Sequence, residues 1–191
     1  MATELECKIP ITNIGAITQK ITELGGQWQS EVVLQDTLYK HREKNALNTY
    51  ATLRVREYFK DQILLDAEIC YKGEINRENT FKCREELETK IEKPSMIIAI
   101  LEALGYYSSF IYQKQRTTFL LDQMTICIDT LPYLGDFIEI EANTEEAIHS
   151  LLTQLSLNPK DHISTGYPKL LKEKVTTLFP DDPPKRILLD I

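Results

Sequence analysis

The chain has few cysteines and no closely spaced pair of them. Its four cysteines form no C-x-x-C motif and lie far apart, at Cys7, Cys70, Cys83 and Cys127. Neither a zinc knot nor a redox dithiol is therefore predicted, and reduced, buried thiols are expected. The histidines are also few and show no ligand spacing, so each is expected to be a surface or structural residue: His41, His149 and His162.

Positive charge is in the minority. The 22 Lys and Arg residues against 29 Asp and Glu give a formal net charge of −7, which argues against bulk binding to nucleic acid or to an anionic membrane. No apolar run approaches the length of a membrane span, and no signal-peptide pattern is present. We expect a cytoplasmic protein, a monomer or homodimer without nucleic-acid or membrane partners. Any anion site must come from local clustering of bases.

The order of segments repeats along the chain. A strand-like stretch, a helix-like stretch and several further strands occur twice, and the endings ELGGQ and ALGYY of the first two predicted helices echo each other. A chain of 191 residues can form one large domain or two small ones. The repetition favours a single domain, residues 1–175, built from two related halves. The proline-rich segment 176–191 is predicted to be a C-terminal arm.

About eight strand-like stretches are separated by turn signals, and helices are few. A helix capped by Thr12 or Asn13 is predicted to end at the glycine pair 25–26, a second runs from Pro94 towards Gly105, and a third begins at a capping box of Asn143 and Glu146. An antiparallel sheet that closes on itself is the economical architecture, because closure removes exposed edges. The predicted class is α+β, an eight-stranded closed barrel with helices packed outside.

The opening strand-like stretch, ELECKIPI, alternates charged side chains with apolar or small ones. Glu4, Glu6 and Lys8 share one face of a strand, while the residues between them are apolar or small. The pattern recurs in later stretches such as LRVR and FIEIE. If helices and loops cover the barrel, the apolar faces are buried outward and the charges point into the lumen. An apolar lumen with the charges in water fits any one strand equally well.

The signs of these charges are segregated, which favours a charged lumen. Acids cluster on the first strand and near FIEIE, where a hard cation such as Mg²⁺ or Mn²⁺ would find carboxylate oxygens and keep positions for phosphate. The candidate metal ligands are Glu4, Glu6, Asp129, Glu139 and Glu141. Bases cluster on the middle strands and could neutralise a polyphosphate. These candidates are Lys8, Arg54, Arg56, Lys72, Arg84, Lys114 and Arg116.

The Glu-x-Glu-x-Lys motif at residues 4–8 resembles the signature of the CYTH superfamily, the triphosphate tunnel metalloenzymes, named for a class IV adenylate cyclase and thiamine triphosphatase. Further landmarks follow in order up to about Leu171: DTLY at 36–39, LRVR at 53–56, YKG at 71–73, REE at 84–86, KQR at 114–116 and LGDFIEIE at 134–141. The segment STGYPKLL resembles the one that closes over a tunnel mouth in this family. It departs from the pattern at Gly166, where the family has a serine before Tyr167.

The resemblance implies an eight-stranded tunnel that binds a triphosphate together with Mg²⁺ or Mn²⁺. It assigns the metal to Glu4, Glu6, Glu139 and Glu141, with Asp129 as a further ligand. It assigns the phosphates to Lys8, Arg54, Arg56, Lys72, Lys114 and Arg116, with catalytic roles for Lys8, Arg56, Lys72 and Arg116. Arg84 lies on a strand that varies more within the family, and Tyr167 would contact substrate. Tyr39 either lines the tunnel or packs in the core.

Three functions are compatible with these motifs. The favoured one is a class IV adenylate cyclase that converts ATP to cyclic AMP and pyrophosphate. The alternative is a thiamine triphosphatase or inorganic triphosphatase, in which water attacks the terminal phosphorus of thiamine triphosphate or tripolyphosphate. A non-catalytic polyphosphate-binding barrel is the third. The motif residues do not separate the first two, because both bind the same triphosphate and metal.

Overall fold

The computed structural model describes residues 2–43, 51–76 and 80–189, without the side chains of residues 2–4, 75 and 76. The sequence also predicts a polar turn at residues 41–48 and a polar loop at residues 74–79, and both segments lie partly outside the described residues. The elements follow in the order β1 (Ala2–Ile11), α1 (Ile14–Glu23), β2 (Gln27–His41), β3 (Thr52–Lys60), β4 (Ile63–Asn76), β5 (Lys82–Lys90), α2 (Pro94–Ala103), β6 (Tyr106–Leu121), β7 (Met124–Leu131), β8 (Gly135–Ala142), α3 (Glu145–Leu155), α4 (Tyr167–Leu178) and β9 (Arg186–Ile187).

Eight antiparallel strands close into a barrel. Their order is β2-β3-β4-β5-β1-β8-β7-β6, and β2 pairs back onto β6 from Gln27 opposite Leu120 to His41 opposite Tyr106. The two-residue β9 adds to β6 in parallel, at Ile111 and Tyr112. The predicted eight-stranded closed antiparallel barrel is confirmed. Because each strand of the barrel has a partner on both sides, the sheet exposes no long unpaired edge within residues 2–43, 51–76 and 80–189.

Helices α1 and α3 cover the outer face of β1, β7 and β8. The apolar residues that alternate with charges on β1, Cys7 and Ile9, pack in one cluster with Ile21 of α1 and Leu152 of α3. Burial of such side chains against helices is the main favourable term in this layer. The apolar faces are therefore buried outward, and the charged faces of the same strands point into the barrel.

The cap of α3 differs from the prediction. Thr144 Oγ1 accepts a hydrogen bond from the backbone N–H of Ala147 at 3.2 Å, whereas the Asn143 side chain donates to Gln123. The predicted capping box of Asn143 and Glu146 is wrong, because β8 continues to Ala142 and the helix begins one residue later than expected. Of the two predicted caps of α1, Thr12 and Asn13, the structure selects Asn13, whose Oδ1 accepts from Ala16 N–H at 2.9 Å.

Helix α4 and the C-terminal segment pack over one end of the barrel. Tyr167 and Leu171 of α4 lie in a buried cluster with Phe110, Phe137 and Ile187. Helix α4 extends to Leu178, so we propose that the arm begins beyond that residue rather than at 176. Among the helices that the structure describes, none is long and apolar enough to span a bilayer.

Candidate active site

The register of the barrel places opposite charges directly across from one another. Lys82 on β5 lies opposite Glu6 on β1, Lys72 on β4 lies opposite Glu86 on β5, and Arg116 on β6 lies opposite Asp129 on β7. Each of these pairs forms a salt bridge. Cross-strand neighbours on one face are close enough to interact directly, so pairing alone assembles a charged wall.

These walls enclose a cavity of about 250 Å³. All seven of the predicted phosphate-binding bases line it, namely Lys8, Arg54, Arg56, Lys72, Arg84, Lys114 and Arg116, together with Lys82 and Lys169. Three of the predicted metal ligands line it as well, namely Glu6, Glu139 and Glu141. Leu38, Tyr112 and Tyr167 contribute the less polar part of the lining. The charge pattern of the strands therefore converges on a single site.

One guanidinium is held rigidly in the wall. Arg56 donates from Nε and Nη2 to the two carboxylate oxygens of Asp36 at 2.7 and 2.8 Å, and Tyr112 Oη donates to the same carboxylate at 2.6 Å. Asp36 is fully buried. Burial opposes its ionisation, but the charges of Arg56 and Arg54 hold the pKa of Asp36 well below its ordinary value.

A second group of buried salt bridges connects β6, β7 and β8. Asp129 accepts from Lys114 Nζ at 2.7 Å and from Arg116 Nε and Nη2 at 2.6 Å each, while Arg116 also pairs with Glu139. Burial opposes the charge on Glu139, yet Lys114 and Arg116 keep its pKa well below the ordinary value. Burial, with repulsion from Arg116, lowers the pKa of Lys114. Asp129 is fully buried behind these bases and does not line the cavity.

Two carboxylates face each other across β1 and β8. Glu6 lies directly opposite Glu141, a like-charge pairing that is unfavourable unless a cation compensates it. Glu6 is compensated by Lys82, whose Nζ lies 2.7 Å from Glu6 Oε2. Glu141 has no ion-pair partner within the described ranges, and burial, with the charges of Glu139 and Glu6, raises its pKa.

This carboxylate set suits a hard divalent cation. Glu6, Glu139 and Glu141 supply oxygen donors only. Lys82 pairs with Glu6 and Arg116 pairs with Glu139, so a cation at these carboxylates would compete with both bases. Glu4 occupies the register position opposite Arg84, two residues before Glu6. Alternation along the strand places Glu4 on the same face, but its side chain lies outside the described part of the chain.

The segment before α4 closes another part of the wall. Lys8 Nζ donates to Thr165 O at 2.7 Å and lies 4.3 Å from the ring centre of Tyr167, and Lys114 Nζ lies 4.7 Å from the same ring. The hydroxyl of Tyr167 is buried and has no hydrogen-bond partner among the described groups. Burial lowers the pKa of Lys8, with repulsion from Lys82 and Lys114 adding to it. His162 Nδ1 accepts from the Lys8 backbone N–H at 3.1 Å, a structural role.

Tyr39 lies elsewhere. It is buried with Val55 and Leu101 under α2, on the outer face of the barrel, while its neighbour Leu38 faces the cavity. Burial, with the charge of Glu102, raises the pKa of Tyr39 to about 12. Of the two environments considered for this residue, the structure therefore places it in the core, and we do not propose it as a substrate contact.

Several residues of the site were not among the predicted site residues. Lys82, Asp36, Glu68 and Glu86 all form salt bridges with the predicted bases or acids. Lys82 could have been found, because it lies two residues before Arg84 on the same strand face. Asp36 carried a weaker signal, since a single acid on a long polar stretch does not reveal its partner.

Two other features of the described residues are poorer candidates. An open groove of about 920 Å³ on the outer face of β2, β3 and β6 is larger, but glutamines and Trp28 line much of it and it brings few bases together. The side chains of Cys70, Glu86 and Glu88 place three potential ligand atoms within 4.8 Å of one another. Lys72 and Arg84 already hold Glu86 there, and their positive charge opposes a cation.

The model of the CYTH domain matches residues 2–167, and the chain belongs to the CYTH domain family. A Methanocaldococcus jannaschii protein that carries a provisional adenylate cyclase name is 24% identical over 169 residues, covering 88% of this chain and 87% of that protein. The solved structure of the PH1012 protein of Pyrococcus horikoshii is 25% identical with a TM-score of 0.74, over 87% of this chain and 98% of that one. A Hippeastrum candidate adenylyl cyclase, described as having a dominant triphosphatase activity, shares the fold at 14% identity and a TM-score of 0.63, over 89% of this chain and 93% of that one.

Proposed function

We propose that the protein is a divalent-metal-dependent enzyme that cleaves a phosphoanhydride bond of a triphosphate substrate. The observation that carries this proposal is the convergence of nine basic side chains and three carboxylates on one cavity of about 250 Å³. Such a lining matches the charge of a triphosphate and a metal ion better than it matches a neutral ligand. Phosphoryl transfer depends mainly on positioning and on charge stabilisation, both of which this lining offers.

The bases divide into two groups by how they are held. Arg56 and Arg116 are fixed by bidentate bonds to buried carboxylates, so they present charge at fixed positions without reorganisation. Lys8 and Lys72 carry single ammonium groups on flexible side chains, held by Thr165 O and by Glu86, and would follow the phosphate chain. In the proposal these four are the catalytic residues, since they would stabilise the charge that develops on the leaving phosphate.

The metal would be held by Glu6, Glu139 and Glu141, with Glu4 and Asp129 as further proposed ligands. When bound, Mg²⁺ or Mn²⁺ supplies positive charge to the phosphate oxygens and lowers the pKa of an attacking hydroxyl or water. Because Asp129 is enclosed by Lys114 and Arg116, its participation requires that one of these bases release it. The cytoplasmic location and the monomer or homodimer state stay predictions.

The particular reaction that we propose first is that of a class IV adenylate cyclase. The ribose 3′-oxygen of ATP would attack the α-phosphorus, and pyrophosphate would leave towards the bases. The provisional name of the Methanocaldococcus jannaschii relative supports this choice.

A triphosphatase is the second candidate, and one observation favours it. The described lining is dominated by charged groups, and its two aromatic side chains are already engaged. Tyr112 bonds to Asp36, and the ring of Tyr167 lies beside Lys8 and Lys114. A purine platform is thus less evident than a phosphate site.

Product analysis tests the proposal. The purified protein is incubated separately with ATP, thiamine triphosphate and tripolyphosphate in Mg²⁺ or Mn²⁺, and the products are separated. Cyclic AMP with pyrophosphate supports the cyclase, and orthophosphate without a cyclic product supports the triphosphatase. Tight binding with no turnover of any substrate would support the non-catalytic barrel and overturn the enzyme proposal. A Glu6→Ala variant, with its fold checked by circular dichroism, should lose metal-dependent turnover.

A further inference from the structure

Lys82 contacts Glu6, one of the carboxylates proposed to bind the metal. Its Nζ lies 2.7 Å from Glu6 Oε2, and both side chains are largely buried in the cavity wall. Glu6 is also the carboxylate that directly faces Glu141 across the strands. The ammonium of Lys82 therefore supplies the positive charge that this pair of acids requires.

An ammonium and a divalent cation that bind the same Glu6 carboxylate repel each other. Repulsion between like charges in a partly buried site is only weakly screened. Binding of a metal at Glu6 and Glu141 is thus disfavoured while Lys82 stays in place, and the metal competes with the existing salt bridge.

The surroundings limit where Lys82 can go. Lys8 is close enough for the two ammonium groups to repel each other, and Arg84 follows two residues later on the same strand face. Glu86 is held by Lys72 and Arg84. Displaced from Glu6, the Lys82 ammonium would be a buried charge without a partner, which is costly unless an anion enters the cavity.

We propose that Lys82 exchanges partners during ligand binding: it pairs with Glu6 when the site is without metal and transfers to a phosphate oxygen when metal and triphosphate enter together. This inference rests on the proposed function. It makes Lys82 a phosphate-binding residue and makes the binding of metal and triphosphate mutually dependent. Each ligand alone leaves a charge uncompensated, whereas the two together compensate both.

The test measures the affinity of the protein for Mn²⁺ and for imidotriphosphate, a non-hydrolysable tripolyphosphate analogue. Each ligand is measured alone and in the presence of the other. Free Mn²⁺ is followed by electron paramagnetic resonance, and imidotriphosphate binding by calorimetry, with correction for the complex that the two form in solution. In the wild-type protein, each ligand is expected to raise the affinity for the other by about fivefold or more. Turnover is not needed for either readout.

A Lys82→Met variant keeps the aliphatic length and removes the charge. It should bind Mn²⁺ alone about fivefold or more tightly than wild type, bind the Mn²⁺–imidotriphosphate complex more weakly, and lose most of the mutual enhancement. The matched control is Lys90→Met on the same strand. Lys90 is exposed and pairs with Asp66 outside the cavity, so this variant should behave as wild type.

A Lys82→Arg variant keeps the proposal testable if the methionine variant does not fold. Its guanidinium can hold Glu6 through two hydrogen bonds, so Mn²⁺ alone should bind more weakly than in wild type while the mutual enhancement is retained. If Lys82→Met leaves Mn²⁺ affinity unchanged or weakens it, or if either folded variant changes these affinities no more than Lys90→Met does, the exchange is overturned. Wild-type protein that binds neither ligand would instead overturn the proposed function.

Discussion

Arg56 and Asp36 form a bidentate salt bridge inside the barrel, with donor–acceptor distances of 2.7 and 2.8 Å. Asp36 is also 3.6 Å from Arg54 Nη1, yet Arg54 Nε is buried and has no hydrogen-bond partner in the residues that the structure covers. Asp36 therefore fixes Arg56, while Nε of Arg54 remains available as a hydrogen-bond donor. We expect Arg54 to be the more responsive of the two arginines to a phosphate ligand.

Replacement of Asp36 by Asn should destabilise the fold strongly. The change removes the bidentate counter-charge of the buried Arg56 guanidinium and leaves it only Glu68 at 3.9 Å, a loss of about 3–5 kcal/mol in the free energy of unfolding. Chemical denaturation at pH 7 measures this. Asp66→Asn is the matched control, since Asp66 pairs with the exposed Lys90, and it should change the free energy by less than about 1 kcal/mol.

The effect of Asp36 should depend on pH in a defined direction. Because the pKa of Asp36 is held well below its unfolded value of about 3.9, its ionised form stabilises the fold above that pH, and the contribution is lost progressively as the pH falls below it. The difference in stability between wild type and Asp36→Asn should therefore narrow from pH 5 towards pH 2. A difference that stays constant over this interval would contradict the assignment.

Replacement of Glu141 by Gln should stabilise the metal-free protein at neutral pH. Burial and the neighbouring acids raise the pKa of Glu141, so its ionised form opposes folding above the folded-state pKa and the protonated form does not. Thermal unfolding in a chelator should give a higher Tm for Glu141→Gln than for wild type at pH 7, and similar values near pH 4.

The same variant tests the metal site. Mn²⁺ should raise the Tm of wild type and raise that of Glu141→Gln much less, because a ligand stabilises only the state that binds it. Glu23→Gln, on the exposed face of α1, should match wild type in both measurements. An equal Mn²⁺ effect in all three proteins would argue that Glu141 is not a ligand.

Removal of the hydroxyl group should affect the stability of the protein differently at Tyr112 and at Tyr167. Tyr112 Oη donates to Asp36 at 2.6 Å, so Tyr112→Phe should cost about 1.5–3 kcal/mol of stability. Tyr167 Oη is buried without a partner in the described part of the chain, so Tyr167→Phe should leave stability unchanged or raise it. If that hydroxyl serves a phosphate ligand, Tyr167→Phe should also raise KM for tripolyphosphate, which steady-state kinetics with both variants measures.

The four cysteines should be unreactive in the folded protein. All are free and buried, and burial, with the charge of Glu6, raises the pKa of Cys7 to about 12, so that little thiolate is present. Titration with Ellman's reagent at pH 8 should detect no fast-reacting thiol until denaturant is added, and then all four. Rapid modification of the native protein would show that a cysteine is accessible.

Local patterns in the sequence were sufficient to predict much of the fold. Alternation along ELECKIPI and FIEIE determines which residues share a face, and Asn13 caps α1 because a side-chain acceptor there meets a free backbone N–H. The cap of α3 was misplaced by one residue, since Asn143 and Thr144 are both good caps and only the end of β8 chooses between them.

The residues of the cavity were largely predictable as a set, because seven bases and three acids recur at alternate positions on the strands. The salt-bridge partner of each of these residues was not predictable. The pairing of Lys82 with Glu6, and of Asp36 with Arg56, depends on strand neighbours and register, which join residues 76 and 20 positions apart. Tyr39 could line the cavity or pack in the core by sequence alone, and the covering helix α2 decided for the core.

The sequence by itself determined which residues lie together on each strand face, because that depends only on the two-residue period of an extended chain. Only the tertiary structure decided that the charged faces point inward. That choice follows from closure of the barrel and from the helices that bury the opposite apolar faces, since burial of apolar area outside leaves the charges to compensate one another within.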